Sequence, residues 1–267
     1  MKKVLKKIYD VLPKGIKKLY WQTRKKVGQI LMFRIVFPLG YKHYIKGKKI
    51  KRKKAVFVEV RFDEITDRTG THSIKWDRVK EGGLAMWIAD MDFRTPQVVT
   101  DSIIKRAENG IFGYTDIPDE WYCAYQKWWK DRYNFSINKE WLIFTTGVIP
   151  AISSIIRKMT TPAENVVVMT PVYNMFFDSI LDNGRNVLES RLVYNDGKYS
   201  IDFADLEEKL ANPQTSMMIL CNPHNPTGNI WDRDILDKVG KLCKKYHVLV
   251  VSDEIHCDIT KPGISYI

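Results

Sequence analysis

Residues 217–228 read Met-Met-Ile-Leu-Cys-Asn-Pro-His-Asn-Pro-Thr-Gly. An apolar run that stops abruptly at turn residues reads as a strand buried on both faces, not one with a wet side. Proline fixes its own φ and biases the preceding residue toward extended backbone. Asn222-Pro223 and Asn225-Pro226 therefore make a rigid loop, where a plain turn rarely needs such a sequence.

Similar strands recur outward from this stretch. Val166–Thr170 is apolar and β-branched and runs into Pro171-Val172-Tyr173; Val248–Ser252 runs into Asp253-Glu254-Ile255-His256. Trp141–Thr145 predicts a shorter strand ahead of Gly147. Helical stripes are expected from Val98 to Gly110, Glu120 to Tyr133 and Pro150 to Met159. Others are expected from Tyr173 through Leu181, from Phe203 to Leu210, and from Asp232 to Tyr246. Strands alternating with helices predict an α/β fold, a mostly parallel sheet with helices on both faces. Ligands of such sheets bind beyond the carboxyl ends of the strands, where all these motifs sit.

Composition sets the outer bounds. The chain has 267 residues and a net charge of +12, with 45% hydrophobic and 28% charged residues, a normal globular mixture that excludes wholesale disorder. No apolar run reaches the roughly 18 residues of a membrane span. No secretory signal is evident, because Lys and Arg recur throughout the N-terminus. Cys123, Cys221, Cys243 and Cys257 are widely spaced without a C-x-x-C pair. This argues against a zinc cluster or disulfide framework and suits the cytoplasm.

The charge is concentrated at one end. Residues 1–54 hold 19 Lys and Arg against the single acid Asp10, leaving 24 bases against 30 acids in the remainder. Val4, Leu5, Ile8, Leu12, Ile16 and Leu19 follow one helical face with Lys on the other, interrupted by Pro13 and Gly15. Such a leader can lie on an anionic membrane surface. It shows no motif of a specific nucleic-acid module, and a solvated basic tail is an equally good reading. Lys54–Arg61 reads as a strand. The leader with K-K-A-V-F-V-E-V-R-F-D-E at 53–64 resembles the start of CDP-glycerol glycerophosphotransferase-like proteins.

Taken singly, the later motifs are ambiguous. Thr145-Thr146-Gly147-Val148 opens a helix whose free N–H groups can hold a phosphate, although such turns are more often plain connections. Tyr173 can stack on a planar ligand but more often such a ring packs. Asp253 is a carboxylate emerging from a buried strand, whereas a lone Asp-Glu is usually surface charge.

Their order and spacing are more specific. N-P-H-N-P-T-G (222–228) and S-D-E-I-H (252–256), with W-I-A-D-M-D-F (87–93) and I-F-G-Y-T (111–115), resemble the aminotransferase class I/II proteins. These are the type I pyridoxal phosphate enzymes, and the strings are similar to their cystathionine β-lyase branch. The resemblance runs from about Phe62 to the last residue. It implies pyridoxal 5′-phosphate bound by Asp253 at the ring nitrogen, Asn225 at the 3-oxygen and Tyr173 on the ring face. His256 would lie near the ring oxygen, and Gly147 with Val148 would form part of the phosphate cup. Tyr114 would reach into a partner subunit, implying a homodimer. The implied domains are 1–61 as a basic segment of different origin, 62–105 as part of the small domain, and 106–267 as an incomplete cofactor-binding domain.

The implied reaction is β-elimination from a small sulfur-containing amino acid, with a freed lysine removing the Cα proton and a thiolate leaving from Cβ. That lysine is expected some 25–40 residues after S-D-E-I-H, but Ile267 follows Asp253 by 14. Lys261 has neither the distance nor the context. The expectation is a truncated fold without its catalytic lysine, inactive, and prone to aggregate through an open sheet edge. The alternatives are a class I/II aminotransferase, a non-catalytic protein using its basic leader, or a rearranged fragment.

Overall fold

The computed structural model describes residues 62–264 and 266. The basic leader's expected helix and the 54–61 strand lie outside the described residues. Contacts divide the chain after Tyr114, giving one unit that ends there and a second from Thr115 to Ile267.

In the first unit the described helices are α1 (Ile74–Asp77) and α2 (Gln97–Glu108), the latter opened by Pro96. Asp92 organises the polar side of this unit. Its carboxylate accepts from Lys75 Nζ at 2.8 Å, Trp76 Nε1 at 2.8 Å and Arg68 Nη1 at 2.7 Å. Arg68 also pairs with Asp90 at 2.6 Å, and Trp87 Nε1 donates to the Lys75 carbonyl at 3.1 Å. The bonds from Lys75, Trp76 and Arg68, with Lys75 first, hold the Asp92 carboxyl well below the usual range. The strings K-W-D and W-I-A-D-M-D-F are therefore two sides of one hydrogen-bonded knot.

The second unit begins with α3 (Asp119–Tyr133), a 3-10 turn (Lys139–Trp141), α4 (Val148–Met159) and β1 (Asn165–Thr170). Then come α5 (Met175–Leu181), β2 (Asn186–Asn195), β3 (Lys198–Ile201) and α6 (Phe203–Ala211). It closes with β4 (Thr215–Cys221), α7 (Arg233–Lys245) and β5 (Leu249–Asp253). The strands form one sheet in the order β3-β2-β1-β4-β5. β1 pairs in parallel with β2 and β4, β4 pairs in parallel with β5, and only β3 is antiparallel. The sequence-predicted mixed α/β sheet is thus observed.

Side chains alternate across a strand, so β1 and β4 each feed two cores. Val167, Met169, Met218 and Leu220 pack with Leu206 and Leu210 of α6 and Val239 and Cys243 of α7. Val166, Val168, Met217, Ile219 and Cys221 pack with Ile152 and Ile156 of α4 and Phe176 and Ile180 of α5. All six residues of β1 are buried, which explains why the strand reads as a continuous apolar run. Burying each large aliphatic side chain is worth about 1.5–3 kcal/mol before the cost of ordering it. Local chemistry sets the ends of the helices. Asp202 caps α6 through the N–H groups of Ala204 and Asp205, and Asp232 caps α7 through that of Ile235. Asn134, left-handed at φ 51°, ends α3.

Two features depart from the sequence reading. Trp141–Thr145 is not a strand: Trp141 closes the 3-10 turn, and the residues after it find no ladder partner among the described residues. β-branched and aromatic content favours extended backbone there, but pairing is what makes a strand. The β2–β3 hairpin was not anticipated. Asp196 and Gly197 form its two-residue tip, both left-handed with φ of 46° and 76°, between the pair Asn195 and Lys198. Among the described residues no helix is long and apolar enough to cross a membrane.

Candidate functional site

The chain leaves β1 toward β2 on one side and leaves β4 toward β5 on the other. The carboxyl ends of β1 and β4 therefore flank a topological switch point, the place where open α/β sheets hold ligands. Tyr173 follows β1, Asn225 follows β4, and Asp253 ends β5, so all three leave neighbouring parallel strands in the same direction.

The loop after β4 is held from several sides. Asn222 Oδ1 accepts from Trp231 N at 3.0 Å, and Trp231 Nε1 donates to the Cys221 carbonyl at 3.2 Å. His224 N donates to the Asn229 carbonyl at 2.7 Å, and Gly228 N to the His224 carbonyl at 2.8 Å. Gly228 has φ 72°, a conformation that a side chain would strain. Asn222 N donates to the Asp253 carbonyl at 3.0 Å, coupling this loop to the end of β5.

His224 is a residue whose role the sequence reading missed. It is 2% exposed, with Nε2 3.2 Å from the Met169 carbonyl and Nδ1 3.0 Å from Thr227 Oγ1. A carbonyl only accepts, so Nε2 carries the proton and Nδ1 accepts from the Thr227 hydroxyl, which in turn accepts from Asn229 N at 3.3 Å. The ring thus ties the Asn-Pro loop to β1 across the switch point. Burial depresses its pKa, with the Met169 bond opposing the shift. A histidine held neutral in the fold takes its proton more readily when unfolded. Its contribution is complete above the ordinary value of 6.5 and is lost as pH falls from there through the folded value. Wild-type thermal midpoints are expected to drop more between pH 7.5 and 5 than those of His224→Gln, which supplies both bonds without titrating. Equal slopes would show that His224 is not the group responsible.

Asp253 is 8% exposed and pairs in register with Cys221. Among the described residues its carboxylate accepts one hydrogen bond, Ile255 N to Oδ1 at 3.1 Å, and forms no ion pair with Lys or Arg. Burial raises its pKa, opposed by the Ile255 N–H and by nearby His256. Such a carboxylate lacks a cationic N–H partner. The Asn225 backbone N–H donates to Cys221 Sγ at 3.4 Å, while its carboxamide makes no hydrogen bond with another described residue. Burial pushes the Cys221 thiol up to about 11, so it is a packed, unreactive neighbour. The Tyr173 ring is 37% exposed and meets Phe176 edge-on at 5.7 Å.

Gly147 and Val148 belong to the same end of the sheet. The far end of α4 is fixed near the start of β2, because Arg185 Nε donates to Thr160 Oγ1 at 2.8 Å. Its first turn therefore points toward the carboxyl ends of the strands. The N–H groups of Val148 and Ile149 find no acceptor among the described residues, and Pro150 has none to offer. Such a helix start is able to accept an anion. His256 lies half-buried in the loop after β5, and Tyr114, fully exposed, ends the first unit. Lys261 sits in an exposed turn, its carbonyl accepting from Ile264 N at 3.0 Å. A carboxylate wanting a cationic N–H, a free amide, an aromatic face and an anion seat suit a flat phosphorylated heterocycle with a protonated ring nitrogen.

Comparison with known proteins follows that chemistry. The family model "Aminotransferase class I and II" matches residues 85–263. Cystathionine beta-lyase PatB of Bacillus subtilis is 44% identical over 76% of this chain and 54% of its own length. Protein MalY of Escherichia coli is 34% identical over 74% of this chain and 52% of its own. Among solved structures, cystalysin of Treponema denticola, which contains pyridoxal 5′-phosphate, superposes with a TM-score of 0.72 at 33% identity, covering 78% of this chain and 54% of that one. The pyridoxal-phosphate-bound C–S lyase of Staphylococcus hominis gives 0.73 at 36%, covering 79% and 55%. The chain spans about half the length of the curated relatives it matches.

Proposed function

Since the chain belongs to the aminotransferase class I and II family, we propose that its second unit holds pyridoxal 5′-phosphate in a C–S β-lyase acting on a small sulfur-containing amino acid. The observation that carries this reading is Asp253, a buried carboxylate at the end of β5 with no Lys or Arg ion-pair partner among the described residues. Relatives named cystathionine beta-lyase or C–S lyase support the lyase assignment.

When bound, the cofactor supplies an electron sink for charge developing at the substrate Cα. The protein's part is binding and proton placement. Asp253 would hold the proton on the ring nitrogen, and Asn225 would donate its amide N–H to the 3-oxygen. Tyr173 would cover one ring face, and the first turn of α4 would hold the phosphate. His256, next to the Ile255 amide that fixes Asp253, would complete the polar rim.

Residues from about 106 onward are read as the cofactor domain and 62–105 as part of the small domain. Exposed Tyr114 is available to a second copy, consistent with a homodimer, and four free thiols suit the cytoplasm. The family also contains aminotransferases, and its model carries that name.

Titrating the 267-residue protein with pyridoxal phosphate, followed by tryptophan quenching and cofactor absorption, tests the reading. Saturable binding is expected, weakened roughly tenfold by Asn225→Ala, the size of one lost hydrogen bond to a charged group. Equal binding by both proteins would refute Asn225's role, and no binding would refute the site. A lyase yields pyruvate and a thiol from L-cystathionine without an amino acceptor, whereas an aminotransferase requires the acceptor; with no lysine placed at the cofactor among the described residues, these 267 residues alone are expected to release pyruvate no faster than free pyridoxal phosphate does.

A further inference from the structure

The six residues from Asp253 to Asp258 carry the ring-nitrogen carboxylate, His256 and Cys257 in two consecutive turns. Cys257 N donates to the Glu254 carbonyl and Ile259 N to the His256 carbonyl, each at 2.9 Å. One end of this segment is fixed by the β5 ladder. The other end is fixed by a carboxylate with three donors.

Asp258 Oδ2 accepts from Trp128 Nε1 at 2.9 Å, and Oδ1 accepts from Tyr133 Oη at 2.6 Å and Arg132 Nη1 at 3.2 Å. All three donors come from the last turns of α3: Trp128 and Arg132 lie one turn apart on one face, and Tyr133 is the last residue of the helix. The Arg132 guanidinium also lies 4.0 Å above the Trp128 ring, which holds the fork in place. Tyr133 contacts Cys257 as well, and burial together with the Asp258 bond raises the phenol's pKa, so the hydroxyl stays a donor. No side chain of α3 is fully buried. The helix therefore has little core of its own to hold it, and its aromatic end grips this loop through one carboxylate. No role in the site described above falls to Asp258.

We propose that Asp258 is a positioning residue: by clamping the end of α3 to the segment after β5, it sets where Asp253 and His256 meet the ring-nitrogen side of the cofactor. This rests on the cofactor reading given above. The clamp acts on one end of the ligand only. The phosphate seat belongs to α4, whose packing against β1 and α5 does not involve Asp258.

The test compares wild type, Asp258→Ala and Tyr133→Phe as full chains, in two titrations. The first is with pyridoxal 5′-phosphate, read by tryptophan quenching and by the absorption change that reports ring-nitrogen protonation against pH. The second uses inorganic phosphate as a competitor, which reports the phosphate seat alone. Asp258→Ala is expected to weaken cofactor binding about tenfold and to lower the pH at which the ring nitrogen loses its proton, leaving the phosphate constant unchanged. Tyr133→Phe keeps the ring and removes the shortest donor. It is expected to give the same split at about threefold, and it carries the test should Asp258→Ala fail to fold. Equal losses at both ends would mean general loosening and would overturn the proposal. Unchanged cofactor binding in a folded variant would overturn it while leaving the cofactor reading intact. Absence of cofactor binding by wild type would overturn both.

Discussion

Replacing Asp253 by Asn is expected to make the chain more stable at pH 7 and, in the same protein, to cut its affinity for pyridoxal phosphate by about a hundredfold. The two effects have one cause. Burial raises the carboxyl pKa above the ordinary 3.8, so the native state holds this proton more tightly than the unfolded chain. Stability from this group is then greatest at low pH and falls as pH rises from about 3.8 through the folded value. Asn keeps an oxygen for the Ile255 N–H and removes the charge, so the penalty at neutral pH disappears. Cofactor binding moves the other way. A cation facing a buried carboxylate loses its partner, and breaking a buried charge pair costs about 3 kcal/mol or more. Thermal midpoints without ligand and a cofactor titration check both halves. Reduced stability of the unliganded variant would show that Asp253 already has a cationic partner in the protein.

Trp231→Ala should produce the largest loss of stability, about 3–5 kcal/mol. Trp231 is 2% exposed and lies in the core between the sheet, α6 and α7, with its ring edge-on to His224 at 5.8 Å. Removing the ring leaves a cavity and an unpaired Cys221 carbonyl, and it exposes His224 to water. A domain's whole stability is about 5–15 kcal/mol, so much of the protein would be unfolded at 37 °C. Trp231→Phe retains most of the volume and loses only the Nε1 bond, which predicts about 1 kcal/mol. Urea denaturation of the three proteins measures the series. A loss below 1 kcal/mol for the Ala variant would mean that the loop after β4 is not built around this ring.

The parts legible in the sequence were those whose signal is local. β1 and β4 announce themselves as apolar runs because both faces of each strand are covered, β5 keeps an apolar run although it is only partly buried, and α6 and α7 follow their apolar stripes. The positions of Tyr173, Asn225 and Asp253 at strand ends follow once those runs are placed. The β2–β3 hairpin carries one local signal, Asp196-Gly197, but β2 is half exposed and half polar, so no apolar run marks it as a strand. Trp141–Thr145 had the composition of a strand, but composition does not supply a neighbour. His224 and Asp258 were invisible for a different reason. Their partners lie 55 and 125–130 residues away, and nothing in the intervening sequence says that Met169 or the end of α3 will be adjacent.

The double allegiance of β4 also governs which changes of length the chain can absorb. Deleting Met218, for example, would turn each side chain beyond the gap to the opposite layer, sending Ile219 toward α6 and α7 and Leu220 toward α4 and α5. It would also draw the loop that carries Asn225 back by about 3.3 Å, the rise of one strand residue. Insertions and deletions in natural variants should therefore collect at the Asp196-Gly197 tip, where the strands end in solvent. Between Met217 and Gly228 variation should be confined to exchanges of one side chain for another.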